Sequence, residues 1–277
     1  MRKEEVLRSA VDFVSTSAAN HVAAETALSP DFVGMRLFDA PIMGVAAAGD
    51  PLFEDLRNET VIGAHFKPPP FWLEDARSVI CFFLPLTRRI IEANRKDRQW
   101  PAPEWLHGRM EGQSFLNILS AWLAKGFEEA GHKALVPFQD PRYLASDLDT
   151  PISDGGGKPR MFTSNWSERH AAFIAGLGTL SLSRGLITKK GTAGRLFSLI
   201  TSLELEPDLR PYSRHDEYCR RCGACIRQCP TSAISLEHGK DQVKCALFLA
   251  KTLEFLKTRY GCGKCQVDVP CERRLPD

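Results

Sequence analysis

The chain has 277 residues, 43% of them hydrophobic and 25% charged, with a formal net charge of +2. That length suits one large domain plus a small one and is too great for a bare ferredoxin. The near-neutral balance demands neither nucleic acid nor an anionic membrane as partner, and no apolar run reaches the roughly 20 residues of a membrane helix. The opening Met1-Arg2-Lys3-Glu4-Glu5 has neither signal-peptide character nor a twin-arginine pair, so a cytoplasmic protein is expected.

Residues 2–20 read as an amphipathic helix with Val6, Ala10, Phe13 and Val14 on one face. From there to about residue 75, Gly and Pro break the pattern, as at Asp39–Val45 and Pro68-Pro69-Pro70, which predicts loops and short elements. Val79–Leu84 is an apolar run and reads as a buried strand, with Cys81 a small core residue. The basic stretch Arg88–Arg98 reads as an exposed helix. In 112–130, Phe115, Ile118, Leu119, Trp122 and Leu123 keep helical spacing, and Gly131 suits the C′ position.

A strand is predicted over Ala134–Phe138, then a glycine-rich loop over Asp154–Pro159. A second helix begins near Asn165, where Asn165 and Glu168 form an N-x-x-E variant of the capping box, and ends at Ala175-Gly176-Leu177-Gly178. Arg195–Leu203 has the content of a strand, and Glu206–Pro211 that of a linker. The expected class is α+β, with a domain over 1–207 and a smaller one over 208–277.

Nine cysteines in a cytosolic chain rarely mean disulfides. Eight lie between Cys219 and Cys271. Cys219-x-x-Cys222-x-x-Cys225-x-x-x-Cys229-Pro230 is the bacterial ferredoxin run, in which three thiolates hold one [4Fe–4S] cluster and the fourth turns to another. Cys245, Cys262, Cys265 and Cys271 complete the eight ligands that two clusters need, with a helix possible over Leu247–Arg259. Spacing assigns Cys219, Cys222 and Cys225 to one cluster, with Cys271 placed there by inference. Cys229, Cys245, Cys262 and Cys265 then hold the other. Zinc, the rival metal for a CxxC pair, does not account for the four-cysteine run closed by Pro. Two adjacent clusters make an electron relay as well as a staple for the C terminus.

The segment Ser167-Glu168-Arg169-His170-Ala171-Ala172-Phe173-Ile174-Ala175-Gly176-Leu177-Gly178-Thr179 resembles the epoxyqueuosine reductases. So do Gly194-Arg195-Leu196-Phe197, Leu203–Pro207 and Gly261–Gln266. The resemblance covers roughly residues 160–271, with weaker echoes at Asp39–Val45, and extends more distantly to corrinoid-dependent reductive dehalogenases. It implies a nitroreductase-like α+β domain, a ferredoxin-like module with two [4Fe–4S] clusters, and base-off cobalamin between them. An external low-potential donor such as ferredoxin or flavodoxin would feed the clusters, which would reduce the cobalt for work on a small organic substrate. Two alternatives stand beside this: an electron-transfer or corrinoid-activating protein without its own substrate, and a reductase carrying FMN.

The chain also departs from that family. The family carries an aspartate shortly before the Glu-Arg pair as proton donor, whereas no carboxylate lies between Asp154 and Glu168, so epoxyqueuosine is not the expected substrate. The family's last cysteine would fall at Val269 and stands instead at Cys271. The chain ends at Asp277, without the family's further segment for contacting tRNA. Asn165, Trp166, Ser167, Glu168 and Arg169 fall where the resemblance puts a cofactor-facing turn; the alternative for this turn is capping and core packing. Gly176 and Gly178 allow close backbone approach. His170 is the first residue to test as a lower cobalt ligand, and Tyr143 is a candidate proton donor in place of the missing acid.

Overall fold

A computed structural model describes residues 1–146, 152–153, 159–160 and 162–277. Helix α1 (Lys3–Thr16) buries Val6, Ala10 and Val14, as its spacing requires, and a 3-10 turn over Ala18–Asn20 follows. The Gly- and Pro-broken region holds a strand that local composition hides, β1 (Ile42–Ala47). It exists because it pairs antiparallel along its whole length with β2 (Ser78–Pro85), whose eight residues are all buried. Helix α2 (Arg88–Lys96) is exposed on one side only, since Ile90, Ile91, Ala93 and Asn94 are buried.

Helix α3 (Pro103–Glu129) begins nine residues before the expected one. Phe115, Leu119 and Leu123 face the core, whereas Ile118 and Trp122 remain exposed at 48% and 43%. It closes in a Schellman turn: Gly131, at φ +84°, donates to Glu128 O, and His132 donates to Phe127 O. Strand β3 (Ala134–Leu135) is shorter than expected because Pro137 opens a 3-10 turn. The glycine-rich loop lies outside the described residues.

Helix α4 (Glu168–Ile174) is followed by a hairpin of β4 (Gly178–Leu180) and β5 (Leu186–Thr188), then by β6 (Gly194–Thr201). The main sheet runs β1-β2-β6-β3, with every neighbour antiparallel. Its two faces explain why β2 is apolar throughout. Ile80, Phe82 and Leu84 join Phe197 and Leu199 under α1 and α3, and Val79, Cys81 and Phe83 join Trp166 and Ile174 beneath α4. Phe82 stacks on Phe197, its register partner, with centroids 4.8 Å apart.

The cysteine-bearing segment contains α5 (Ala224–Arg227), a small Ile234–Ser235/Gly239–Lys240 ribbon and α6 (Gln242–Leu256), which is capped by Asp241 accepting from Lys244 N at 3.0 Å. Its end returns to the sheet lobe. Thr192 N donates to Cys271 O at 2.8 Å, Ala193 N donates to Glu272 O at 3.0 Å, and Arg95 pairs with Glu272. Gly191, at φ +84°, lies so close that a Cβ would strike the Glu272 carbonyl. Gly191→Ala is therefore expected to destabilise by about 1–3 kcal/mol and to loosen residues 268–277. Limited proteolysis and denaturant unfolding check this, and a variant as protected as the parent would refute it.

Candidate functional site

The eight C-terminal cysteines fall into two groups. Cys219, Cys222, Cys225 and Cys271 surround one hollow together with Leu182 and Val269. Cys229, Cys245, Cys262 and Cys265 line a second cavity, at the junction with the sheet lobe. The groups adjoin at Cys265, which also borders the first hollow. Cys271 is pushed up to about 12 by burial and by the neighbouring Cys219, Cys225 and Cys222. Cys262 is pushed up to about 12 by burial, with Cys265 and Cys245 adding to it. Four thiolates so crowded need positive charge among them.

Among the described residues no three Cys, His, Asp or Glu side chains converge tightly enough to hold a single ion. An all-thiolate donor set is the one that cubes of iron and sulfide take. Leu182 N donates to Cys219 Sγ at 3.4 Å and Ala233 N to Cys229 Sγ at 3.3 Å, placing backbone dipoles on one sulfur of each group. Cys222 is exposed, so the first group reaches the surface.

A clasp invisible to sequence pattern fixes the second group. Lys264, between Cys262 and Cys265, is 1% exposed. Its Nζ donates to Asn94 O at 2.7 Å and Asn94 Oδ1 at 3.1 Å, and Asn94 Nδ2 donates to Cys262 O at 2.9 Å. Gly263, at φ +68°, leaves no room for a Cβ against the Trp105 ring. Beside it, Arg259 binds both oxygens of Glu111 at 2.6 Å. Burial alone would raise Glu111, but His107 and Arg259 outweigh it and hold the carboxyl at about 2. Leu28 N donates to His107 Nε2 at 3.3 Å, so the ring's proton sits on Nδ1 and is donated to Glu111.

The junction cavity has a volume of about 200 Å³. Besides the four cysteines it is lined by Arg109, Arg169, Arg184, Arg195 and Lys240, and, among the described residues, by no carboxylate. Arg195 is lowered to about 10 by burial, with Arg109 and Arg169 adding to the effect. Arg169 also lines this space; desolvation lowers its pKa, and the Cys265 and Cys245 thiols pull it back.

Of the residues in the sequence-predicted turn, Arg169 alone lines the cavity. Trp166 is 1% exposed, stacked between Phe53 and Phe66, and donates to Ser198 Oγ at 2.9 Å. Asn165 does not cap α4. Its side chain accepts from Leu144 N at 2.9 Å and donates to Arg142 O at 2.8 Å, locking that loop. Ser167 is the N-cap residue, and its Oγ meets His170 Nδ1 at 2.8 Å. His170 is pushed down to about 4 by burial and by Arg169, so it is neutral at pH 7.

Gly176 and Gly178 are packed against chain rather than open space: a Cβ would strike Leu209 O at the first and Ile187 O at the second. Tyr143 sits edge-on to Phe138, its phenol raised chiefly by burial. Glu168 does not complete a capping box. Its two carboxylate oxygens are buried without a hydrogen-bond partner, and burial pushes it up to about 7. Neither Tyr143 nor Glu168 lines the junction cavity.

Comparison with known proteins gives the following. A match to the 4Fe-4S binding domain family covers residues 212–235. The chain is 30% identical to the epoxyqueuosine reductase of Staphylococcus aureus over 142 residues, which is 48% of this chain and 36% of that protein. It is 33% identical to that of Listeria monocytogenes over 141 residues, 47% of this chain and 36% of the relative. The matches thus span about a third of these relatives. Among solved structures, Bacillus subtilis epoxyqueuosine reductase aligns over 99% of this chain and 68% of its own at 18% identity, TM-score 0.52. A catabolic reductive dehalogenase aligns over 99% and 37% at 16% identity, TM-score 0.55. A reductive dehalogenase described as B12-dependent aligns over 85% and 30% at 17% identity, TM-score 0.54. The chain therefore resembles the epoxyqueuosine reductases in sequence and shares a fold with both groups.

The lone carboxyl beneath α4 gives a pH signature. With its pKa near 7 folded and near 4.5 unfolded, Glu168 contributes stability that is full below about pH 4.5 and gone above about pH 7. The difference, about 2.5 pKa units, is worth about 3 kcal/mol. Glu168→Gln is expected to remove that decline, so that the variant is the more stable protein at pH 8. Urea unfolding between pH 5.5 and 8 reads it, and parallel profiles for the two proteins would overturn it.

Proposed function

We propose that the chain is an iron–sulfur oxidoreductase that takes electrons singly from an outside donor and hands them to an acceptor at the junction of its two lobes. The reading is carried by the two adjoining thiol groups, one reaching the surface at Cys222 and the other opening into the cationic cavity. When bound, two [4Fe–4S] clusters supply one-electron storage and transfer. Cys219, Cys222, Cys225 and Cys271 would hold the outer one, and Cys229, Cys245, Cys262 and Cys265 the inner. The N–H groups of Leu182 and Ala233 draw charge from the sulfurs and favour the reduced state. Trp105 and Phe248 put apolar walls around the inner thiols.

Arg95, Arg98 and Arg227, with Asp268, border an open depression of about 450 Å³ at Cys222, and of these arginines Arg95 is already paired with Glu272. That basic rim suits an acidic carrier of the ferredoxin or flavodoxin kind.

The place that a corrinoid or flavin would take is the junction cavity. Its volume of about 200 Å³ is below the roughly 300–1,000 Å³ of pockets for drug-sized ligands, and a corrinoid is larger than such ligands. The donors lining it fit a small polar group, and neither cofactor fits as the lobes are arranged. None of the relatives named above is described as a flavoprotein. The nitroreductase-like description of the larger lobe rests on the resemblance.

Protein reconstituted with iron and sulfide without oxygen is expected to carry about eight irons and Cys225→Ser roughly half, with loss of the outer cluster's EPR signal. Zinc in place of iron, or unchanged iron in the variant, would sink the assignment. Titration of the loaded protein with hydroxocobalamin should leave the corrinoid spectrum unaltered; stoichiometric conversion to a base-off spectrum would reverse that conclusion.

A further inference from the structure

We propose that the junction cavity is a binding site for a small oxyanion, the carboxylate or phosphate group of the electron acceptor. The inference rests on the electron-relay reading and adds the chemical class of what the relay serves. Among the described residues, five cationic side chains and no carboxylate line the space. An oxidised cluster with four thiolates carries a net charge of about −2, so the cations exceed what the inner thiols require.

None of the five has a carboxylate partner among the described residues. Arg109 Nε and Arg195 Nε are buried with no hydrogen-bond acceptor. An unpaired guanidinium shut away from water is costly unless an anion answers it. Both groups are held in place by neutral neighbours. Arg109 lies over the Tyr260 ring at 4.2 Å, and Arg195 donates through Nη2 to Gln113 Oε1. Planar, immobilised guanidinium forks are the geometry that reads carboxylate and phosphate oxygens. The cationic side chains share this space with the inner thiols that would deliver the electron.

The test is calorimetric titration of the iron-loaded protein, in a buffer poor in other anions, with inorganic phosphate and separately with acetate. Saturable binding of one anion per chain is expected for at least one probe, and which probe binds separates a phosphate-bearing acceptor from a carboxylic one. Arg195→Gln and Arg184→Gln should each weaken it by about tenfold or more, with Arg195→Lys intermediate. The EPR signal of the reduced inner cluster should shift as the anion binds. If Arg195→Gln fails to load iron, Arg184→Gln carries the comparison. No saturable binding into the millimolar range by protein of full iron content, or equal affinity in the glutamine variants, overturns the proposal and leaves the relay standing. Wild-type protein that takes up no iron overturns the relay itself.

Discussion

A single buried ammonium ties the two lobes together at the point where chemistry is to happen. Lys264 stands between two thiols of the inner group, yet its charge is spent inside the sheet lobe, on the carbonyl and side chain of Asn94. Asn94 passes the restraint on: it donates to Cys262 O and accepts from Ala102 N at 3.0 Å, just before α3 begins. Each polar group in that chain is answered, the condition under which a buried polar network rigidifies rather than destabilises. The close seat of Gly263 on Trp105 follows from it, and so does the mouth of the cationic cavity. Were the lysine elsewhere, the inner thiols would have no defined distance to Arg109, Arg169 or Arg195.

The two thiol groups sit in unlike electrostatic surroundings. The outer one is wetted at Cys222. The inner one is half-buried throughout and faces five cations. Positive charge and buried donors favour the reduced form of an iron–sulfur centre. With clusters bound, the field would fall inward and favour an electron moving from the wet edge toward the junction. The buried acid beneath α4 lies outside this path, in the layer of Trp166 and Cys81.

What the sequence disclosed was whatever depends on near neighbours. Spacing put Cys219, Cys222 and Cys225 together, because three thiols in one tight loop have little freedom, whereas Cys271 joined them by inference. The face of α1 and the run of β2 were legible for the same reason. β1 was not, because Pro41, Gly44 and its alanines weaken local propensity and only long-range pairing with β2 makes it a strand. The capping box at Asn165 failed because Asn165 had a tertiary task, and Glu168 went inward instead of back to the helix end. Lys264 is buried, and Arg195 lines the cavity, only through the tertiary fold. A cysteine-flanked lysine followed by an apolar Val267 was the one local hint.

The wet edge at Cys222 also decides how the protein would age in air. Dioxygen and peroxide reach an iron–sulfur centre through its solvent-facing corner, so of two bound cubes the outer would be the sacrificial one. The inner cube, walled by Trp105 and Phe248, would outlast it. Brief aeration would yield a half-charged molecule, able to hold an electron beside the cationic pocket but severed from its supply.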